Sequence, residues 1–163
     1  TDDDMIYPMD LFFLLARHNV DIVAPLAFQR RPPYYPVIYK TRTGWDGPRK
    51  QTYFANEIVK NYPKNTLFQC DAVGFGAVLI KRWVLEKMSE PRFMSTSPTG
   101  EDILFCYRAK EELNAKTYCD TFTKIQHLGA PSIVDESTFD AHNKMDEVRD
   151  RYGDCTEEMY VKT

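Results

Sequence analysis

The stretch Leu11-Phe12-Phe13-Leu14-Leu15-Ala16, closed by Asn19 and followed by Val20-Asp21-Ile22-Val23-Ala24-Pro25, decides the fold class. Pro8 in a first turn and Asp10 at the positive end of the helix dipole mark a helix start, and Asn19 marks its stop. The residues that follow are short, β-branched and halted by proline, the pattern of a buried strand at 20–24. A helix feeding a buried strand is an α/β crossover unit, and the chain is read as α/β.

Working outward, residues 29–52 collect prolines, glycines, aromatics and arginines without steady periodicity, so a long loop is expected there, with a short strand at 37–40. Such loops serve as lids or binding segments, and Tyr34, Tyr35 and Trp45 beside Arg30 and Arg31 suit a sugar or a phosphate; a plain surface loop is the alternative. Phe54, Ile58, Val59 and Tyr62 share one helical face, which predicts a helix over 52–62 ended by Pro63. Strands are expected at 67–73 and 75–80, split by Gly74. A helix at 81–88, a loop at 91–99, a helix at 101–113 and a strand at 116–122 complete the pattern. Residues 1–163 read as one domain with its core in 1–129, and 130–163 as a charged peripheral extension.

A chain of 163 residues buries about 70% of its unfolded surface, enough for a core without staples. The formal charge of −3, from 21 basic and 24 acidic residues, lacks the basic excess of a phosphate-backbone binder, so nucleic acid is excluded as a partner. Cys70, Cys106, Cys119 and Cys155 form no CxxC pair or zinc pattern and read as reduced and mostly buried. No apolar run approaches the ~20 residues that cross a bilayer, and the acidic start is unlike a signal peptide, so a cytoplasmic protein without a transmembrane segment is expected.

Three constellations carry chemistry. In an extended Asp2-Asp3-Asp4 segment, Asp2 and Asp4 would face one cation while Asp3 turns aside, and an oxygen-rich site of this kind suits Mg²⁺ or Mn²⁺; solvated surface charge is the alternative. Thr99-Gly100-Glu101-Asp102 has the spacing of a capping box, yet an acid after a Pro/Ser/Thr-rich loop can also take a proton from a hydroxyl. His127, before Gly129, is either a packed histidine or a ligand that joins the carboxylates on one ion. Gly74-Phe75-Gly76 marks a turn or a close approach to the backbone, without dinucleotide or P-loop spacing.

Taken in order, Asp2–Asp4, the run from Asp71 to Arg82, Gly100-Glu101-Asp102-Ile103-Leu104-Phe105-Cys106 and His127-Leu128-Gly129 resemble the catalytic domain of family 2 type glycosyltransferases with the GT-A fold. The resemblance covers residues 1–129. It implies a Rossmann-like mixed sheet flanked by helices, an NDP-sugar donor, often a UDP-sugar, a glycan or other hydroxyl acceptor, and Mn²⁺ or Mg²⁺. By that likeness Asp2 and Asp3 lie on the donor, Asp2 near the ribose. Asp4, with Asp2 and His127, holds the metal. Asp102 is the general base, Glu101 orients the acceptor, and Gly74, Phe75 and Gly76 line the donor sugar. Transfer would proceed with inversion. In such enzymes the Asp-x-Asp element follows a nucleotide-gripping half of about a hundred residues. The chain therefore reads as the carboxyl-terminal part of a transferase domain lacking its amino-terminal half, weak or inactive alone and prone to self-association. A non-catalytic carbohydrate-binding or assembly module is the competing reading, in which Tyr34, Tyr35 and Trp45 hold glycans.

Overall fold

The computed structural model describes residues 1–46, 51–96, 99–129 and 133–152; the side chains of Thr43, Trp45, Asp46, residues 51–54, 148, 149, 151 and 152 lie outside the description, as does Cys155. Helix α1 (Leu11–Ala16) forms where the sequence places it, but its C-cap is Arg17, and Asn19, expected to close it, lies two residues farther on in the left-handed region at φ 51°. Strand β2 (Ile22–Leu26) follows with every residue buried. It pairs in parallel with β8 (Thr117–Lys124) and antiparallel with β7 (Leu79–Ile80), while β5 (Leu67–Cys70) pairs antiparallel on the far side of β8. The central sheet is therefore mixed, in the order β5-β8-β2-β7. Both faces of β2 are covered, which is why its run is apolar without alternation.

Helix α3 (Glu101–Leu113) occupies the predicted residues and lays Phe105, Cys106 and Ala109 against the core. Asn114 closes it at φ 54°, with its N–H donating to the Lys110 carbonyl at 2.9 Å and that of Ala115 to Ala109 at 3.1 Å. The shorter α2 (Arg82–Lys87) buries Val84 in the same cluster.

The segment expected as loop and then helix is instead a long hairpin of β3 (Ile38–Asp46) and β4 (Gln51–Ile58), paired from Tyr39↔Ile58 to Asp46↔Gln51 and extended by β6 (Ala72–Val73). The helical spacing of Phe54, Ile58, Val59 and Tyr62 was coincidental. β-branched and aromatic residues on both arms favour cross-strand pairing, and that outweighs a weak 3.6-residue pattern.

A third sheet joins the two ends of the described chain: β1 (Met5–Ile6) and β10 (Ile133–Val134) flank β9 (Gln126–Leu128). Helix α4 (Glu136–Tyr152) follows. Val134 and Phe139 are buried in the main cluster with Phe28, Leu26 and Ile38, so this segment packs into the core instead of trailing from it. Tyr34 and Tyr35 pack there too, edge-on to His142 and Phe139 respectively. Among the described residues no helix is long and apolar enough to cross a membrane.

Candidate functional site

Strand pairing brings the acidic segment to the late histidine. Met5 is directly opposite His127 in the β1–β9 ladder, and the Leu128 N–H donates to the Asp4 carbonyl at 2.8 Å. Asp4 Oδ2 then stands 3.2 Å from His127 Nε2. Residues 123 positions apart thus share one spot because a three-stranded sheet fixes their register.

The other imidazole nitrogen decides what that spot can do. His127 Nδ1 lies 3.0 Å from the Phe28 carbonyl oxygen, which accepts only from an N–H. In the neutral ring the proton therefore sits on Nδ1, and the Nε2 lone pair is left facing Asp4, the tautomer a metal ligand requires. Arg30 supplies the positive charge: its terminal nitrogen donates to Asp4 Oδ2, and its Nε donates to His127 Nε2 across 3.4 Å. Burial alone would raise the Asp4 carboxyl, but the charge of Arg30 and, when the imidazole is protonated, the Nε2–H hydrogen bond and charge of His127 outweigh it and hold it below the usual carboxylate range.

Asp2 and Asp3 are exposed, and residues 3–4 form a turn, so the alternation expected of an extended segment is absent. The turn sends the Asp4 side chain toward His127 and gives Asp2 a backbone role, its N–H donating to the Gly76 carbonyl at 2.9 Å. The three-ligand set Asp2, Asp4 and His127 is not assembled; among the described residues no group of three or more His, Cys, Asp or Glu side chains is arranged around an ion position. The pair that remains still fits a hard divalent cation, which often takes one or two protein groups and completes its shell with water and substrate phosphates.

The Gly74-Phe75-Gly76 turn links this spot to the acidic pair. On one side the Gly76 carbonyl receives the Asp2 N–H, and the Tyr7 hydroxyl lies 2.8 Å from the same oxygen. On the other, the Phe75 N–H faces the Asp102 carboxylate. Gly74 is needed for packing, since a Cβ there would stand 2.9 Å from the Val37 Cβ, whereas one at Gly76 would stand 3.1 Å from the Met5 methyl, the end of a flexible side chain that can give way. The Phe75 ring turns inward, edge-on to Phe105 with centroids 5.6 Å apart, so this turn presents backbone and no ring to a ligand.

Glu101 and Asp102 open α3, but Gly100 is the N-cap and no side chain caps the helix, so Thr99 does not form the expected capping box. Thr99 is buried and bridged to Thr96 instead, which takes it out of reach of the orphan amides. Asp102 Oδ1 accepts the Ile103 N–H at 2.7 Å. Burial, with Glu101 alongside, pushes its carboxyl above the usual range despite that bond. A carboxylate displaced toward neutrality, free of any ion pair among those the structure shows and set beside a turn, is suited to take a proton. Glu101 is exposed at the helix start and acts on Asp102 only through its charge.

Sequence reasoning passed over Arg30 except as one of several basic loop residues. Nothing local marks it, because its role comes from loop 28–36 folding back: Phe28 bridges Pro36, and the Gln29 N–H donates to the Tyr35 carbonyl at 2.9 Å. Asp120 was likewise unmarked; it is a fully buried carboxylate that receives His18 Nε2 at 2.8 Å and the Thr123 hydroxyl at 2.8 Å. A cleft of about 540 Å³ bounded by Ile6, Tyr7, Lys124 and Glu136 is built on the neighbouring Ile6–Gln126 pair and includes none of the candidate site residues. Cys70, Cys106 and Cys119 are buried free thiols, and burial drives Cys106 up to about 12, far from a reactive thiolate.

No protein-family model and no curated protein matches the chain. Among solved structures it is similar to A197 from STIV, with a TM-score of 0.51 and 21% identity over 77% of this chain. The chain spans about half of that structure, 54% of its length. At this identity the likeness speaks for the fold alone, and with the sheets and helices described above it makes this a mixed α/β protein.

Proposed function

We propose that the chain is the metal- and acceptor-binding part of an inverting GT-A type glycosyltransferase, with an NDP-sugar as donor and a glycan or other hydroxyl as acceptor. The observation that carries this reading is the Asp4–His127 pair, its imidazole tautomer set by the Phe28 carbonyl, joined through a single turn to the partly buried Asp102. A bound Mn²⁺ or Mg²⁺ would supply neutralisation of the diphosphate leaving group. Asp4 and His127 Nε2 would hold it. Asp102 accepts the acceptor's hydroxyl proton as the oxygen bonds to the anomeric carbon; the bond from that carbon to the phosphate oxygen breaks, and the diphosphate leaves with its electron pair. Attack opposite to departure inverts the anomeric centre. Buried free cysteines are in keeping with a reducing compartment such as the cytoplasm.

The competing carbohydrate-binding reading draws less support, since Tyr34 and Tyr35 are engaged by α4 and by Lys60, whose Nζ lies 4.0 Å from the Tyr35 ring centre.

Mn²⁺ titration of the full chain, followed by electron paramagnetic resonance, tests the metal half. Asp4→Ala and His127→Ala are each expected to weaken binding at least tenfold. Unchanged binding in both removes the site. Donor turnover with Mn²⁺, in the chain and in Asp102→Asn, tests the catalytic half.

A further inference from the structure

We infer that Arg30 is a resident cation that locks the Asp4–His127 site and is exchanged for a divalent metal, after which its guanidinium is freed for the donor's diphosphate. This deepens the metal reading above and rests on it.

The atoms used are the same. Arg30 donates to Asp4 Oδ2 and, through Nε, to His127 Nε2 at 3.4 Å, and those two acceptors face each other across 3.2 Å. Each would direct to a metal the lone pair it now offers to Arg30. A guanidinium and a divalent ion cannot both use them, so metal binding must displace the arginine.

The geometry makes the exchange local. Loop 28–36 is closed at its base by the Phe28–Pro36 bridge and by the Gln29 N–H donating to Tyr35 at 2.9 Å; farther along, the Tyr34 N–H donates to Arg31 at 2.9 Å. The Arg30 side chain is 53% exposed, so it can turn outward while its backbone stays in place. A freed guanidinium tethered there has the planar fork that binds phosphate oxygens in pairs, whereas Asp4 keeps its charge balanced by whichever cation is present.

Two opposite consequences follow from one residue. Without a phosphate ligand, Arg30 competes with the metal, lowering its apparent affinity by the fraction of molecules in which the lock is open. With a diphosphate present, Arg30 gains a new partner and favours the loaded site.

The test uses the full chain, Mn²⁺ alone and the Mn²⁺ complex of inorganic pyrophosphate as probes. Arg30→Ala is expected to bind Mn²⁺ alone about fivefold more tightly, the equilibrium factor of a half-exposed ion pair. It should bind the pyrophosphate complex about tenfold more weakly, read by calorimetry. Arg31→Ala, on the same loop, should change neither. The inference is overturned if Arg30→Ala leaves Mn²⁺ binding unchanged or weaker while Asp4→Ala abolishes it, since the site then exists without a lock. If neither the unmodified chain nor Arg30→Ala binds Mn²⁺, the metal reading falls and this inference with it.

Discussion

Asp102 illustrates how one carboxylate's surroundings set both its chemistry and its effect on stability. Burial and the neighbouring Glu101 raise it, so the folded chain keeps this proton at pH values where the unfolded chain, with an ordinary value of 3.8, has lost it. Folding therefore binds more protons in that window, and this group's contribution to stability declines as pH rises through it. Asp102→Asn removes the titration and keeps an oxygen for the Ile103 N–H. Its melting temperature at pH 7 is expected to equal or exceed that of the parent, while donor turnover falls by about 10²–10⁴. A variant that melts earlier and turns over normally would give Asp102 a structural role only. At this scale the sequence disclosed which residue types carry chemistry, but not their partners. His127 and Asp4 could be named from motif order, whereas Arg30 is visible only once a folded loop carries its guanidinium onto both of them.

Elements were legible where a local signal agreed with the surroundings. Helix α3 starts at Glu101 and ends at Leu113, as the apolar spacing predicts, and the structure adds its closure by Asn114 at positive φ. The β3–β4 hairpin was not legible, because its proline- and glycine-rich approach looks like loop and its second arm carries an accidental helical spacing. Pairing partners, which lie outside any local window, settled the matter. The kink in β8 escaped for a related reason: Pro25 pairs with Asp120 but Leu26 with Lys124, an irregularity in the ladder held by Asp120 accepting the N–H groups of Phe122 at 3.0 Å and Thr123 at 3.3 Å. Helix α4 read as charged and weakly periodic, yet it plants Phe139, 4% exposed, against Phe28 with ring centres 5.5 Å apart. Phe28 is also the residue whose carbonyl orients His127. Phe139→Ala is expected to cost about 3–5 kcal/mol in urea unfolding. It should also weaken Mn²⁺ binding, since a loosened Phe28 no longer fixes the imidazole. A loss below about 1 kcal/mol would mean that α4 is peripheral after all.

Across the whole molecule, opposed carboxylates set the response to acid. Asp4, Glu112, Asp120, Asp135 and Glu136 all sit below their ordinary values, against Asp102 above. For the depressed group the sign is reversed. The unfolded chain holds protons that the folded chain has released, so the stabilisation is complete above the ordinary values of 3.8 and 4.5 and is lost as pH falls through the folded ones. Most of these groups lie in contact with water, where screening reduces their share. Asp120 differs, with a side chain 1% exposed. Burial would raise it, and the His18, Thr123 and Phe122 bonds more than offset that. It also ties the end of α1 to the central sheet through His18 and Arg17, so its protonation loosens a junction between elements. The urea midpoint is therefore expected to fall between pH 6 and pH 3. In Asp120→Asn the unfolding free energy at pH 6 should be lower by about 1–3 kcal/mol for the unpaired partners, and the midpoint should decline less steeply because this buried carboxylate no longer titrates. An Asp120→Asn profile parallel to that of the parent would assign the acid sensitivity to the exposed carboxylates, and the junction between α1 and β8 would then owe its cohesion to apolar packing rather than to this buried charge.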